Sequence, residues 1–365
     1  MTWVAAFVTG FLILRLIVSL INFFSRPLLI QRNYSDRGLI SVLIPARNEE
    51  KNLPVLLETL KQQNYKNLEI LVYDDQSTDS TPEIVKKFLL NDPRIRLISG
   101  ANPSHGWIGK NFACHNLAKE ANGVCFLFLD ADVVTAPSLI SSSIEYLCRN
   151  KLALLSIFPD QIMKSPGEKA TVPYMHWILL TLLPLISVRK TKNKNLSAAN
   201  GQFMMFEAAT YRQFQFHEMV KRNPVEDIQI MKIMKSMKLK VATLLGNRLI
   251  SCRMYGGWHD ALEGFSKNVA DFFGSQYFWM VLYMLITTLG IPLVAFAWNM
   301  WLGLLYLLTI LLMRIAVSLS AHQSIAVNLI YAIPQHISFI AMCILSVRNR
   351  IRGSIIWKDR KIILP

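Results

Sequence analysis

The stretch Phe126 to Val133, FLFLDADV, joins four consecutive apolar residues to two acids separated by one alanine. Phe126, Leu127, Phe128 and Leu129 have the continuous apolar character of a strand buried on both faces, as in a helix-covered parallel sheet. Asp130 and Asp132 follow at the carboxyl end of that strand, where open α/β sheets collect their ligands. In extended backbone, residues two apart face the same side, so both carboxylates are expected to point at one spot. Two hard anionic groups there suit Mg2+ or Mn2+ that also holds a diphosphate. A β-turn carrying two solvated acids is the alternative that this stretch alone leaves open.

Upstream, the pattern alternates strand and helix. Leu39 to Ile44 reads as a strand stopped by Pro45, and Glu49 to Gln63 as a helix. Leu68 to Tyr73 is a second strand ending in Asp74 and Asp75. The next helix has start signals in Ser80 or Thr81, Pro82 and Glu83. Ile95 to Ile98 gives a third strand and Asn111 to Ala121 a third helix, and Gly123 leads into the fourth strand. This rhythm predicts an α/β fold with a doubly wound, mostly parallel sheet, its first part running from about Leu39 to Phe158. Globular character returns from Asn195 to Tyr255. There Pro224 to Lys240 predicts a helix with Glu226 and Asp227 in its first turn. Lys232, Lys235, Lys238 and Lys240 lie toward its end, expected as a solvated face that suits the helix dipole.

The chain has 365 residues, 52% hydrophobic and 17% charged, with a mean hydropathy of +0.32. The apolar excess is concentrated in the first 25 residues and after Tyr277. Residues 1–25 are long enough to anchor in a bilayer of about 30 Å hydrocarbon. Arg26, Arg32 and Arg37 follow, which places the next domain, residues 39–265, in the cytoplasm. Residues 277–347 form a C-terminal membrane region of two or three spans, with candidates at Tyr277–Trp298, Met300–Leu319 and Ile325–Val347. The basic tail over 348–365 is expected on the cytoplasmic side of the plasma membrane, which three full C-terminal spans would contradict. Val172 to Val188 is nearly apolar but lies between two halves of one domain, so it is expected to be interfacial or re-entrant. Trp177 and the basic run Arg189 to Lys194 are then expected at the headgroups. The net charge of +15 is better matched to anionic lipid than to nucleic acid, because the basic residues cluster near apolar stretches rather than among aromatics. Five scattered cysteines, without metal-ligand spacing, fit a reducing compartment.

Further motifs converge on the opening stretch. SVLIPARNEE and LVYDDQSTDST end neighbouring strands, and HGWIGKNFACHNLA puts Gly106, Gly109 and Lys110 at a helix start suited to phosphate. Glu226 and Asp227 offer a carboxylate for general-base work. In this order the motifs, covering Leu39 to Trp258, resemble those of the family 2 glycosyltransferases, inverting enzymes of the nucleotide-sugar-binding GT-A fold. The GWxGK…ACxxLA pattern between an N-terminal anchor and a hydrophobic C-terminus is most similar to the carotenoid (diaponeurosporenoate-type) and hopanoid-associated members.

The resemblance implies roles by position. Pro45, Ala46, Arg47 and Glu49 would shape the nucleotide pocket, and Asp75 would contact base or ribose. Lys110 would face the donor phosphates with Asp130, while Asp132 with Asp130 would hold the metal. Asp227, beside Glu226, would be the catalytic base. Asn200, Gly201 and Gln202 would form the acceptor-side loop. One departure stands out: SCRMYGGW replaces the (Q/R)xxRW motif of processive members, leaving Arg253 as a candidate diphosphate ligand and Trp258 as a candidate acceptor contact. The expectation is transfer of a single sugar from a nucleotide sugar, a UDP-sugar first, to a hydroxyl or carboxyl of a membrane lipid. The alternatives are a polyprenyl-phosphate acceptor and an inactive lipid-binding scaffold.

Overall fold

Cys125–Leu129, the strand foreseen at residues 126–129, has all five residues buried in the computed structural model. The structure describes residues 1–32, 36–352, 354–357 and 360–363, the last two stretches by backbone alone. In chain order the elements begin α1 (Thr2–Ser25), β1 (Ile40–Ala46), α2 (Leu53–Lys61), β2 (Leu68–Asp74), α3 (Thr81–Leu89), β3 (Ile95–Ser99) and α4 (Gly109–Glu120). There follow β4 (Cys125–Leu129), β5 (Val133–Thr135), α5 (Leu139–Asn150), β6 (Leu154–Phe158), β7 (Asp160–Gln161), α6 (Pro166–Lys169), α7 (Pro173–Leu182) and α8 (Leu185–Lys190). Next come β8 (Phe203–Glu207), α9 (Ala208–Phe214), α10 (Phe216–Met219), α11 (Glu226–Ser236), β9 (Val241–Leu245), β10 (Ile250–Cys252) and α12 (Trp258–Ser266). The chain continues through α13 (Tyr277–Ala297), α14 (Met300–Ser320), α15 (Ile325–Ile330) and α16 (Ala332–Arg352). Two compact units result: unit 1 comprises Met1–Arg26, Gln161–Leu185 and Arg253–Pro365, and unit 2 comprises Pro27–Asp160 and Ile186–Cys252.

Unit 2 is built on a seven-stranded sheet of order β3-β2-β1-β4-β8-β6-β9. The neighbours β3, β2, β1 and β4 are parallel, with Ile40 of β1 opposite both Leu68 and Cys125. β8 runs antiparallel to β4 and β6, and β6 is parallel to β9. The fold is thus mixed α/β with a mostly parallel central sheet. The reversed β8, FMMFE, is buried over its first four residues, and an apolar run covered on both faces reads the same in either direction. β1 continues two residues past Ile44, through Pro45. Its pairing with β4 covers only Ile40–Leu43, so beyond Leu43 the strand has an open edge that tolerates proline.

Three local expectations need correction. Asp130 to Asp132 is a turn between β4 and β5, not extended strand, so the turn rather than the pleat brings the two acids together. α2 starts at Leu53, later than Glu49, because Pro54 occupies its first turn and the residues before it form turns. Lys235 is not solvated: it is 2% exposed and its Nζ donates to the Leu196 carbonyl at 2.7 Å.

In unit 1, α1, α13 and α14 are long and apolar enough to cross a membrane, at 24, 21 and 21 residues. The segment at Ile325–Val347 breaks into α15 and α16, carries Asn328, Gln335 and His336, and does not reach that standard. α7, within the segment 172–188, is ten residues long and packs against α1, α14 and α16. Trp177, expected at the headgroups, is instead 5% exposed inside this unit. Most of the basic tail predicted over 348–365, Lys358 included, lies outside the residues whose side chains are described.

Candidate active site

The ends of β4, α4 and α11 deliver charged side chains to one place in unit 2. Lys110, at the start of α4, sits between two acids: its Nζ is 2.8 Å from Asp130 Oδ1 and 2.9 Å from Glu226 Oε1. Burial works against the ammonium, but the combined pull of Asp130 and Glu226 exceeds it and holds the Lys110 pKa well above its usual value. Asp130 is pushed up to about 6, by burial first and by the Asp132 charge, with Lys110 opposing.

Asp227 lies next to this cluster in the first turn of α11, and both of its oxygens are held. The Gly201 amide donates to Oδ2 at 2.8 Å and the Ile228 amide to Oδ1 at 2.7 Å. Burial and the adjacent Glu226 charge push its pKa up to about 7, against the lowering effect of the two amides and Lys110. A fixed carboxylate that titrates near neutrality suits a general base.

The loop at Asn200 to Gln202 forms the floor of the cluster. The Asn200 amide donates to Ser156 Oγ at 2.8 Å, and the Gln202 amide to Asn200 Oδ1 at 2.8 Å. Gly201 is where the backbone approaches closest, since an added Cβ would lie 3.0 Å from both Lys110 Nζ and Glu226 Oε1. Gln202, foreseen on the acceptor side, reaches Asp132: its Nε2 donates to the two carboxylate oxygens at 3.2 and 3.1 Å. Cys252 joins this group, with Sγ 3.3 Å from Asp132 Oδ2 and 2.8 Å from Gln202 Nε2. Neither Cys252 nor Ser156 was singled out from the sequence. For Cys252, its place at the end of the ISC strand just before Arg253 was the available signal.

The nucleotide-side candidates gather at the ends of β1 and β2. Arg47 Nη1 donates to the Asp75 and Gln76 carbonyls at 2.6 and 3.1 Å. The Asp75 amide donates to the Ala46 carbonyl at 2.8 Å, and the Glu49 amide to Thr81 Oγ1 at 2.8 Å. Asn48 and Gln76 both adopt positive φ, 53° and 57°, a costly conformation that these cross-links hold in place. Pro45 and Ala46 close β1 beside them.

Arg253 and Trp258 belong to unit 1. Arg253 Nη2 is 2.8 Å from Glu168 Oε1, and the fully buried Glu168 carboxylate also accepts from the Ser165 and Lys164 amides. The guanidinium therefore ties down a capped turn. Trp258 Nε1 donates to Ser338 Oγ at 2.9 Å, its backbone packs on Gly167, and the residue is 44% exposed.

Residues 41–218 match the family model described as Glycosyl transferase family 2. The chain carries a family 2 glycosyltransferase domain. It is 31% identical over 235 residues to a 4,4'-diaponeurosporenoate glycosyltransferase of Staphylococcus haemolyticus (strain JCSC1435), covering 63% of this chain and 61% of that one. It is 25% identical over 247 residues to the enzyme of the same name from Staphylococcus aureus (strain USA300), covering 65% and 62%. The match thus spans about three fifths of the length of these curated relatives. Among solved structures, a mannosyltransferase from Pyrobaculum calidifontis, in complex with GDP-Man and Mn2+, aligns over 95% of this chain and 99% of its own. The TM-score is 0.56 and the identity 14%, a likeness of fold.

Family 2 glycosyltransferase domains commonly use a divalent metal, and the donors here can be tested against that. Among the described residues, no group of three or more His, Cys, Asp or Glu forms a metal cage. The turn offers Asp130 and Asp132, and the buried Gln202 Oε1 beside Asp132 has no hydrogen-bond partner. Hard oxygens in this small number fit Mg2+ or Mn2+, which keep coordination positions for donor phosphates. Asp130 is ion-paired with Lys110, whereas Asp132 meets the neutral Gln202 amide and Cys252 thiol.

Proposed function

We propose that this protein transfers a single sugar, with inversion, from a nucleoside-diphosphate sugar to a hydroxyl or carboxyl group of a membrane lipid. The observation that carries the reading is Asp227: a carboxylate fixed by two backbone amides, raised to about 7, next to the Lys110–Asp130–Glu226 cluster. Asp227 takes the acceptor proton as the acceptor oxygen bonds to the sugar C1. The C1–O bond to the diphosphate breaks on the opposite face, and its electron pair leaves with the nucleoside diphosphate. The Lys110 ammonium offsets charge on that leaving group. Asp132 and Asp130 would hold the divalent ion, which supplies further charge neutralisation when bound.

Three features support a lipid acceptor: the membrane-length helices, the named relatives, and the absence of an RW pair that would suggest a polymer. With α1, α13 and α14 as the spans, the segment between α1 and α13 and the basic tail share the cytoplasmic side, as the positive residues require. The test incubates purified protein with a membrane lipid extract and a panel of radiolabelled nucleotide sugars. Label is expected in one glycolipid and absent with Asp227→Asn. Release of free nucleotide without a labelled lipid would overturn the acceptor assignment.

A further inference from the structure

Unit 1 buries two arginines with no acid to meet them. Arg15 of α1 is 4% exposed and Arg314 of α14 is 6% exposed. Their guanidinium carbons lie 5.0 and 4.8 Å from the centroid of one ring, Trp177 of α7, and Arg15 also lies 5.0 Å from the Tyr283 ring. Their hydrogen bonds go to neutral groups. Arg15 Nη2 donates to Thr181 Oγ1 at 3.1 Å. Arg314 Nη1 donates to Gln335 Oε1 at 2.6 Å and the Asn328 carbonyl at 3.1 Å, and Nη2 to the Ala332 carbonyl at 3.3 Å. Among the described residues neither arginine is in an ion pair. The sequence explains why: no Asp or Glu occurs from Met1 to Ser35, from Lys169 to Phe206, or from Phe272 to Lys358. Those stretches contain all of α1, α7, α13, α14, α15 and α16.

Two like charges on one indole, without a counter-ion, are expensive. Removing an ion from water costs more, even after relaxation, than a desolvated cation–π contact returns. An anion makes up the difference, and the planar guanidinium fork suits carboxylate or phosphate. The surroundings say what kind of anion. The outer faces of the same helices are exposed and apolar, with Phe7, Leu14 and Ile17 on α1 and Leu305, Leu308 and Leu312 on α14. We propose that Arg15 and Arg314, with the Trp177 ring they share, bind the anionic head, carboxylate or phosphate, of a membrane lipid. The inference rests on unit 1 being a membrane element, as in the proposed function, and not on sugar transfer itself.

The test uses the full chain in lipid-depleted detergent. It follows thermal unfolding and direct binding with oleate, methyl oleate, dioleoyl phosphatidic acid, dioleoyl phosphatidylcholine and inorganic phosphate. Oleate and phosphatidic acid are expected to bind and raise Tm, and methyl oleate, phosphatidylcholine and inorganic phosphate to leave it unchanged. Arg15→Gln and Arg314→Gln should each weaken oleate binding about tenfold, the worth of one charge-assisted hydrogen bond. Equal effects of oleate and methyl oleate would overturn the site, as would oleate binding unchanged in the glutamine variants. An effect of inorganic phosphate matching that of phosphatidic acid would overturn the lipid source. Should the variants fail to fold, the oleate contrast on the wild-type chain still decides, because the two ligands share one acyl chain and differ only at the head, an anionic carboxylate against a neutral methyl ester. Asp227→Asn should keep the full oleate response, so loss of transfer and loss of anion binding are separable results.

Discussion

Gly201→Ala would put one methyl group at the centre of the charged cluster. The added Cβ would lie 3.0 Å from both Glu226 Oε1 and Lys110 Nζ, a distance tighter than nine in ten real Cβ contacts, and 3.7 Å from Asp227 Oδ2. Among the described glycines, positive φ is found at Gly38, Gly106 and Gly274, so Gly201 has no torsion that excludes alanine and the effect is steric. Either the Lys110–Glu226 pair, now at 2.9 Å, must open, or the Gly201 amide must withdraw from Asp227, now at 2.8 Å. Losing a hydrogen bond to a charged group costs about 1.5–3 kcal/mol, so kcat should fall by a factor of about 10–150. Stability should change less, by about 1 kcal/mol, because Lys110 and Asp130 keep 20% and 27% side-chain exposure and water can resolvate them. The amide lowers the Asp227 pKa, so its withdrawal raises that pKa above about 7 and moves the acid limb of the kcat–pH profile to higher pH. The assay is kcat and KM across pH on purified protein, with Tm as the control for folding. A kcat within twofold of wild type, with the acid limb in place and Tm unchanged, would refute the coupling of this loop to the base.

Asp227→Asn should lower transfer by about 10²–10⁴-fold while donor binding, followed by calorimetry, persists. The same variant tests the linkage sign. Asp227 has a folded pKa raised to about 7, so its contribution to stability is full below the unfolded value of 3.8 and is lost as pH rises through 7. Asn should therefore raise Tm relative to wild type at pH 8, with the gain vanishing by pH 4, and a constant offset would contradict this. Lys110→Met leaves Asp130 and Glu226 without their counter-ion and should destabilise by about 3 kcal/mol. The loss should be larger at pH 8 than at pH 5, where Asp130 takes up a proton, and Tm against pH reads it. Gln202→Ala frees Asp132, and the half-saturating Mn2+ concentration for transfer should rise about tenfold or more; an unchanged metal requirement would remove Gln202 from the metal site.

The four parallel strands, and the acidic ends of β2 and β4, were legible because each signal was local. An apolar run, a break and an acid within about eight residues fix a strand and the edge it points to, and that covers Asp75 and Asp130, while Lys110 was legible from the glycines at a helix start. What was not legible depends on contacts distant in sequence. Gln202 and Asp132 are 70 residues apart, and Cys252 and Asp132 are 120 apart. Nothing near Gln202 in sequence says that its amide meets Asp132. Lys235 shows the same limit: its spacing on α11 matches its neighbours, and its burial becomes visible only with the Leu196 carbonyl in place.

Unit 1 shows what composition leaves open in an apolar segment. Residues 172–188 read as an interfacial or re-entrant element; hydropathy does not distinguish lipid from protein as the apolar partner, and α7 packs against α1, α14 and α16. Arg15 and Arg314 each interrupt an otherwise apolar span. Yet an apolar helix tolerates such a residue at a cost of several kcal/mol, and the chain bears that cost twice at one tryptophan. A charge that weakens the membrane-span signal is thus the stronger functional signal. Its meaning depended on one further sequence fact, the lack of any acid on six helices, which hydropathy averaging removes from view.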